Sequence, residues 1–290
     1  MTLFDLPDDT PGGAGQLGAS GDGPTERTRL VLAYDGAPFH GFARNEGVRT
    51  VGGTLTEAIS TIIGHRVELT CAGRTDKGVH ARAQVVHFDA PAGAVNDRVL
   101  VRSLNKLCGP AIAVETAERV PDEFDARFSA LARRYRYAIY NRPVPDPFSA
   151  SSAWHVDAPL AFHAMVLACD ALIGEHDFSA FCRRPKRRDG EQASLVRRVS
   201  EARWYDDGGG RLRFEIEASS FCHQMVRAVV GTLVDVGRAK KRPGDLLGIV
   251  RSGERSRAGE LAPPHGLTLW TVRYQGWSSH EESATFADPR

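Results

Sequence analysis

From residue 30 to residue 115 the apolar side chains switch between two spacings, and the order of those switches limits the folds open to this chain. Leu30, Val31, Leu32, Ala33 and Tyr34 read as a buried strand that stops at the turn pair Asp35-Gly36. Thr50 then offers a helix N-cap, and Val51, Leu55, Ile59, Ile62 and Ile63 recur on one helical face as far as Gly64. The spacing next predicts strands over 67–71 and 84–88, a helix carrying Leu100, Leu104 and Leu107, and a strand over 112–115. Strand, helix, strand, strand, helix, strand is the order of a split βαβ, ferredoxin-like unit.

The remainder varies the same theme. Strands over 134–140 and 153–156 lead to a helix with Phe162, Met165, Cys169, Leu172 and Ile173 on one face. A basic loop, Arg183-Arg184-Pro185-Lys186-Arg187-Arg188, precedes two strands joined by a turn over 206–210. The second of these, over 212–218, alternates apolar and charged residues, as a sheet with one wet face requires. A helix over 221–238 turns Met225, Val229, Leu233 and Val236 inward, and after short helical turns a last strand over 267–274 returns to the sheet. The expected fold class is therefore α+β: two ferredoxin-like halves, 28–120 and 121–277, with their sheets side by side around a central basic cleft. Residues 1–27, rich in Gly, Pro, Asp, Ser and Thr, are expected to be a disordered tail, and 278–290 a flexible one.

Charge and cysteines narrow the class of partner. The formal net charge is only +1, so any nucleic-acid surface must come from local clustering of Lys and Arg. Cys71, Cys108, Cys169, Cys182 and Cys222 show neither a CxxC pair nor zinc-type spacing, which favours reduced thiols, no metal site and a cytoplasmic location. No apolar run approaches the roughly 20 residues that span a bilayer, so no membrane partner is expected.

The chemistry concentrates in Ala72-Gly73-Arg74-Thr75-Asp76-Lys77-Gly78-Val79-His80, a polar loop between apolar strands. Gly73 and Gly78 permit tight backbone paths, while Arg74 and Lys77 surround one carboxylate with positive charge, which favours its ionised, nucleophilic form. Read alone, Asp76 serves as well as a turn residue paired with Arg74.

This string resembles the signature of the tRNA pseudouridine synthase A family, in which Gly-Arg-Thr-Asp-x-Gly-Val-His holds an aspartate nucleophile. The resemblance covers roughly residues 29–274. Tyr34-Asp35-Gly36 and Phe39-His40-Gly41-Phe42 look like the family's opening strand and turn. Phe124-Asp125-Ala126-Arg127-Phe128-Ser129 with Arg133-Arg134-Tyr135-Arg136-Tyr137 is similar to its second block, and Phe221-Cys222-His223-Gln224-Met225-Val226-Arg227 to its third.

The resemblance implies Asp76 as nucleophile, Tyr135 as the ring that stacks on the target base, Arg227 as the partner of the carboxylate and Leu267 as an apolar residue against the tyrosine. By composition alone Tyr135 and Leu267 are equally core residues, and Arg227 a solvated arginine on an amphipathic helix. Arg74 is expected to fill the space left by an extruded base. Arg127 with Lys186, Arg187 and Arg188 is expected to contact phosphates, and Phe124 and Phe128 complete the RNA-binding set. The family further implies tRNA as partner, positions 38 to 40 of the anticodon arm as target, no cofactor and a homodimer. Three residues depart from the usual pattern: Lys77 for a small residue, Phe42 for tryptophan and Gly52 for glutamine. Two other readings compete, a catalytically silent RNA binder and a metal-dependent hydrolase built from Asp76, His80, His87 and His223.

Overall fold

A computed structural model describes residues 23–183 and 194–280; expectations for 1–22, for 184–193 with Lys186, Arg187 and Arg188, and for 281–290 lie outside the described residues. In chain order the elements are β1 (Thr25–Tyr34), α1 (Val51–Ile63), β2 (Thr70–Cys71), β3 (His80–Pro91), α2 (Asp97–Cys108), β4 (Ile112–Val120), β5 (Ala132–Asn141) and β6 (Trp154–Val156). They continue with α3 (Phe162–Ala168), β7 (Gly174–Asp177), β8 (Val196–Asp206), β9 (Arg211–Ala218), α4 (Met225–Gly237), α5 (Asp245–Ser252), β10 (Leu267–Tyr274) and β11 (Trp277–Ser278).

The two expected half-sheets are hydrogen-bonded into one, in the order β4-β1-β3-β10-β5-β9-β8-β7, with β2 beside β3, β6 beside β5 and β11 beside β10. The last long strand is the stitch. β10 runs antiparallel to β5, with Leu269 opposite Tyr135, and parallel to β3, with Thr268 opposite His80 and Leu269 opposite Ala81. One continuous core joins the halves, from Leu30, Leu55 and Phe88 through Tyr137 to Phe214 and Val229. Each such side chain contributes roughly 1.5–3 kcal/mol when fully buried, so packing holds the seam shut.

Local chemistry accounts for several element ends. The Thr50 hydroxyl accepts from Gly53 N at 3.1 Å to start α1, and Gly64 ends it at φ +69°. Asn96 caps α2 in the same way through Val99 N. β1 starts at Thr25, inside the stretch expected as a tail, because residues 25–29 pair with 87–91 and the Arg27 fork grips both oxygens of Asp89 at 2.7 and 2.8 Å.

Several expectations shift. Leu107 is 56% exposed, since Cys108, one turn beyond Leu104, completes the inward face of α2. β2 keeps only two of the five residues expected to be strand. α3 gives way to a 3-10 turn at Cys169–Leu172, which leaves Ile173 exposed. Cys182 and Cys222, expected as separate reduced thiols, are disulfide-bonded with their Cα atoms 5.8 Å apart, because the 3-10 turn at Ser179–Phe181 and the segment after β9 bring residues 181–183 beside 221–223, where Arg183 N donates to the His223 carbonyl.

The helix expected from residue 221 begins at Met225, since Gln224 takes a left-handed conformation at φ +65°. α4 is also buried nearly all round rather than on one stripe, Arg227 and Asp235 being its only residues outside the buried class. The chain at 258–262 crosses it closely: a side chain at Gly231 would collide with the Glu260 carbonyl, and Gly259 N donates to the Thr232 hydroxyl at 2.8 Å. Among the described residues no helix is long and apolar enough to cross a membrane.

Candidate active site

The loop between β2 and β3 is fixed at Gly73, Thr75 and Asp76, which leaves the side chains of Arg74, Asp76 and Lys77 to project. Gln84 Nε2 donates to the Gly73 carbonyl at 2.7 Å, Tyr34 and Thr75 share a hydrogen bond at 2.8 Å, and Phe42 N donates to the Thr75 carbonyl at 3.0 Å. Val79 N closes a tight turn on the Asp76 carbonyl, and Gly78, at φ +78°, supplies the conformation that turn needs. Gly36 lies so close that any Cβ there would strike the Val79 main chain. Thr75 is sealed in, whereas Asp76 remains partly open, its side chain 18% exposed.

Across the seam two side chains from the C-terminal half meet this carboxylate. Arg227 Nη1 stands 3.5 Å from Asp76 Oδ2, and His223 Nε2 stands 3.5 Å from Oδ1. Both separations exceed the roughly 2.7–3.2 Å of a good hydrogen bond, so the carboxylate is approached from both sides without being locked. The guanidinium itself is aimed: Arg227 Nε donates to the Ala262 carbonyl at 2.8 Å, and Ala262 N returns a bond to the Arg227 carbonyl. Burial lowers the pKa of Arg227 while the Asp76 charge pulls it back up. Gln224, in its left-handed conformation, turns the chain between His223 and the first turn of α4.

Tyr135 completes the group. It is buried, its ring meets Phe221 edge-on at 5.1 Å, and its hydroxyl lies over Gly73, 3.6 Å from where a Cβ would stand. Burial pushes its phenol well above the ordinary value, so the ring is neutral. Leu267 is buried opposite Tyr137, one pleat away, and Leu269 is the residue opposite Tyr135.

The remaining sequence candidates divide. Arg74, Lys77, Arg127 and Phe128 are exposed, with the Arg127 guanidinium 5.1 Å from the Phe128 ring centre. Arg74 and Arg127 both lie near enough to draw down the Cys71 thiol, which burial nevertheless pushes up to about 11. Phe124 stands apart from them, packed 5.2 Å from Tyr274 and 6.2 Å from His87. The histidines of the hydrolase reading are dispersed: His80 accepts from Gly36 N and reaches the His265 carbonyl, and His87 accepts from Ala126 N. Among the described residues no three His, Cys, Asp or Glu side chains gather as a metal site. Two departures from the family pattern touch each other, since a side chain at Gly52 would run into the Phe42 carbonyl and ring.

A family model described as tRNA pseudouridine synthase matches residues 30–129 and 168–275. The chain belongs to this family. It is 43% identical over 250 residues to tRNA pseudouridine synthase A of Frankia casuarinae, covering 86% of this chain and 89% of that one. It is 40% identical over 250 residues to the enzyme of that name from Bacillus licheniformis and 38% to that from Bacillus subtilis, each match covering 86% of this chain, with 99% of the Bacillus licheniformis protein covered. The pseudouridine synthase family is one of isomerases, and the two matched stretches carry both sides of the seam, with the Asp76 loop in the first and His223 and Arg227 in the second.

His223 is the site residue to which the sequence assigns no catalytic role beyond that of a candidate metal ligand. The available signal was its position in the third block, four residues before Arg227.

Proposed function

We propose that the protein isomerises uridine to pseudouridine in tRNA, with the Asp76 carboxylate as nucleophile, Arg227 as its counter-ion and Tyr135 as the surface that holds the uracil. One observation carries this reading. A partly open carboxylate from one half meets two basic side chains from the other at 3.5 Å each, beside a buried, neutral tyrosine. Such a set supplies a nucleophile, charge stabilisation and an apolar ring.

The reaction breaks the N1–C1′ glycosidic bond, turns the freed uracil and forms a C5–C1′ bond. C5 loses a proton and N1 gains one, so nothing is oxidised or reduced. Two points of attack suit the carboxylate, C1′ of the ribose or C6 of the base, and the long contacts to Arg227 and His223 leave its oxygens lone pairs for either. A stacked base must first leave its helix, which costs a few kcal/mol. We assign the exposed Arg74 to the gap it leaves, and Arg127 with Lys186, Arg187 and Arg188 to phosphates. Phe128 and Leu267 are assigned to flanking contacts with the RNA, while the packing of Phe124 favours a supporting role.

The relatives are named for tRNA, and we extend that substrate to this chain. We extend in the same way positions 38 to 40 of the anticodon arm as the target, a homodimer and a cytoplasmic location. The test is to incubate purified protein with an unmodified tRNA transcript, chelator present, and map pseudouridine. Modification at those positions is expected, together with its loss when cytidines replace the uridines there. A protein that binds the transcript and modifies no uridine would overturn the reading in favour of a silent binder.

A further inference from the structure

Two adjacent arginines on β5 point to opposite faces of the sheet and meet different chemistry. Arg134 faces carboxylates: its Nη2 lies 2.8 Å from Glu201 and 3.2 Å from Glu217, and its Nη1 3.5 Å from Glu215. Arg133 is 8% exposed, and its hydrogen bonds go to main-chain carbonyls. Nε and Nη2 donate to Ala72 O at 3.1 and 2.9 Å, Nη1 donates to Ala130 O at 3.1 Å and Ser219 O at 2.7 Å, and Nη2 also donates to Arg127 O. A guanidinium carries five N–H bonds. Here all five are used, on four carbonyls.

Those carbonyls come from three segments that converge on the site. Ala72 opens the loop to Asp76, Ser219 opens the turn to Phe221, His223 and Arg227, and Arg127 and Ala130 belong to the turn leading to Tyr135. All three lie just outside strands, where carbonyls lack ladder partners and are costly to bury unpaired. The residue itself stands between Ala218 of β9 and Val272 of β10, so both neighbouring strands fix its place. Burial lowers its pKa, in keeping with a cation held by dipoles.

We propose that Arg133 is a positioning residue for pseudouridine formation: it clamps the three segments so that Asp76, Tyr135 and Arg227 stand in reacting register. This rests on the function proposed above and extends it to a residue that touches none of the reacting atoms. Lysine cannot substitute, having three donors on a point charge where the site presents four carbonyls to a planar fork.

The test compares Arg133→Ala, Arg133→Lys and the control Arg134→Ala with wild type, using melting curves, tRNA affinity and single-turnover rates on saturating protein. A displacement of order 1 Å costs about 100-fold in rate, so both Arg133 variants should lose about that factor with tRNA affinity within about threefold, while Arg134→Ala keeps its rate. Millimolar guanidinium, against sodium at equal ionic strength, should restore Arg133→Ala at least about tenfold by refilling the vacated cavity and leave Arg133→Lys slow. A wild-type rate in either Arg133 variant overturns the proposal, as does a folded Arg133→Ala that guanidinium fails to rescue. Loss of folding in both variants overturns it too, for the residue would then hold the fold rather than the site. Failure of the parent reading is separable, since it would appear as pseudouridine formation surviving in Asp76→Asn whatever Arg133 does.

Discussion

The N-terminal and C-terminal halves build their shares of the site by different means. The first offers a loop whose backbone is tied at Gly73, Thr75 and Asp76 while its side chains Arg74, Asp76 and Lys77 reach outward. The second offers a strand, a helix and the turn before that helix, packed in the core, from which Tyr135, His223 and Arg227 reach the carboxylate loop. A nucleophile has to project toward a substrate, so its precision must come from the main chain behind it. A counter-ion never leaves its place, and burial together with the bond to Ala262 holds it. Function divides along the seam that β10 closes.

That contrast can be strained from the C-terminal side, where the predicted losses diminish in order. Arg227→Ala should slow single turnover by about 100- to 1000-fold, the scale of removing one preorganised charge partner, and Arg227→Lys should recover only part because the bond to Ala262 needs the guanidinium Nε. An effect of Arg227→Ala below about threefold would break the division of labour. Tyr135→Ala should remove a stacking surface worth about 1–3 kcal/mol, roughly 5- to 150-fold, whereas Tyr135→Phe, which keeps the ring, should stay close to wild type. Equal losses in the two variants would shift the role from the ring to the hydroxyl.

Changes that act through the scaffold come next. Gly36→Ala drives a methyl into the Val79 main chain, with an expected cost of about 1–3 kcal/mol that a melting curve reads as a lower midpoint. An unchanged midpoint would show that the turn before the loop can yield.

The smallest effect concerns pH. His87 accepts from Ala126 N, and burial, then Arg27, depresses its pKa below the ordinary 6.5. Below 6.5 the unfolded chain binds a proton that the folded one refuses, so this contribution is complete above 6.5 and is lost as pH falls toward the depressed value. Wild type should therefore melt progressively earlier as pH falls below 6.5, and His87→Gln should show a shallower decline. Parallel declines would assign the acid sensitivity elsewhere.

Apolar spacing made much of the half-units legible because period and capping are local: Thr50, Gly64, Leu55, Leu100 and Leu104 stand where their spacing puts them, and Leu107 does not. The joining of the halves was not legible, since the pairing of β10 with both β3 and β5 depends on residues nearly 190 and 130 positions apart. Gln224 bears no turn signal, so the delayed start of α4 lay hidden in an apolar run. Asp76, Tyr135 and Arg227 stood out through the family strings and through no spacing of their own. The parity of β5 separates Arg133 from Arg134, yet only the fold reveals carbonyls before one and carboxylates before the other.

The most direct test of the central claim measures Asp76→Asn twice, for tRNA affinity and for single-turnover conversion of uridine at saturating protein. Affinity within about threefold of wild type with conversion reduced by about 10⁴-fold or more is the predicted result. Conversion at a rate near that of the wild type would contradict it, whatever the affinity.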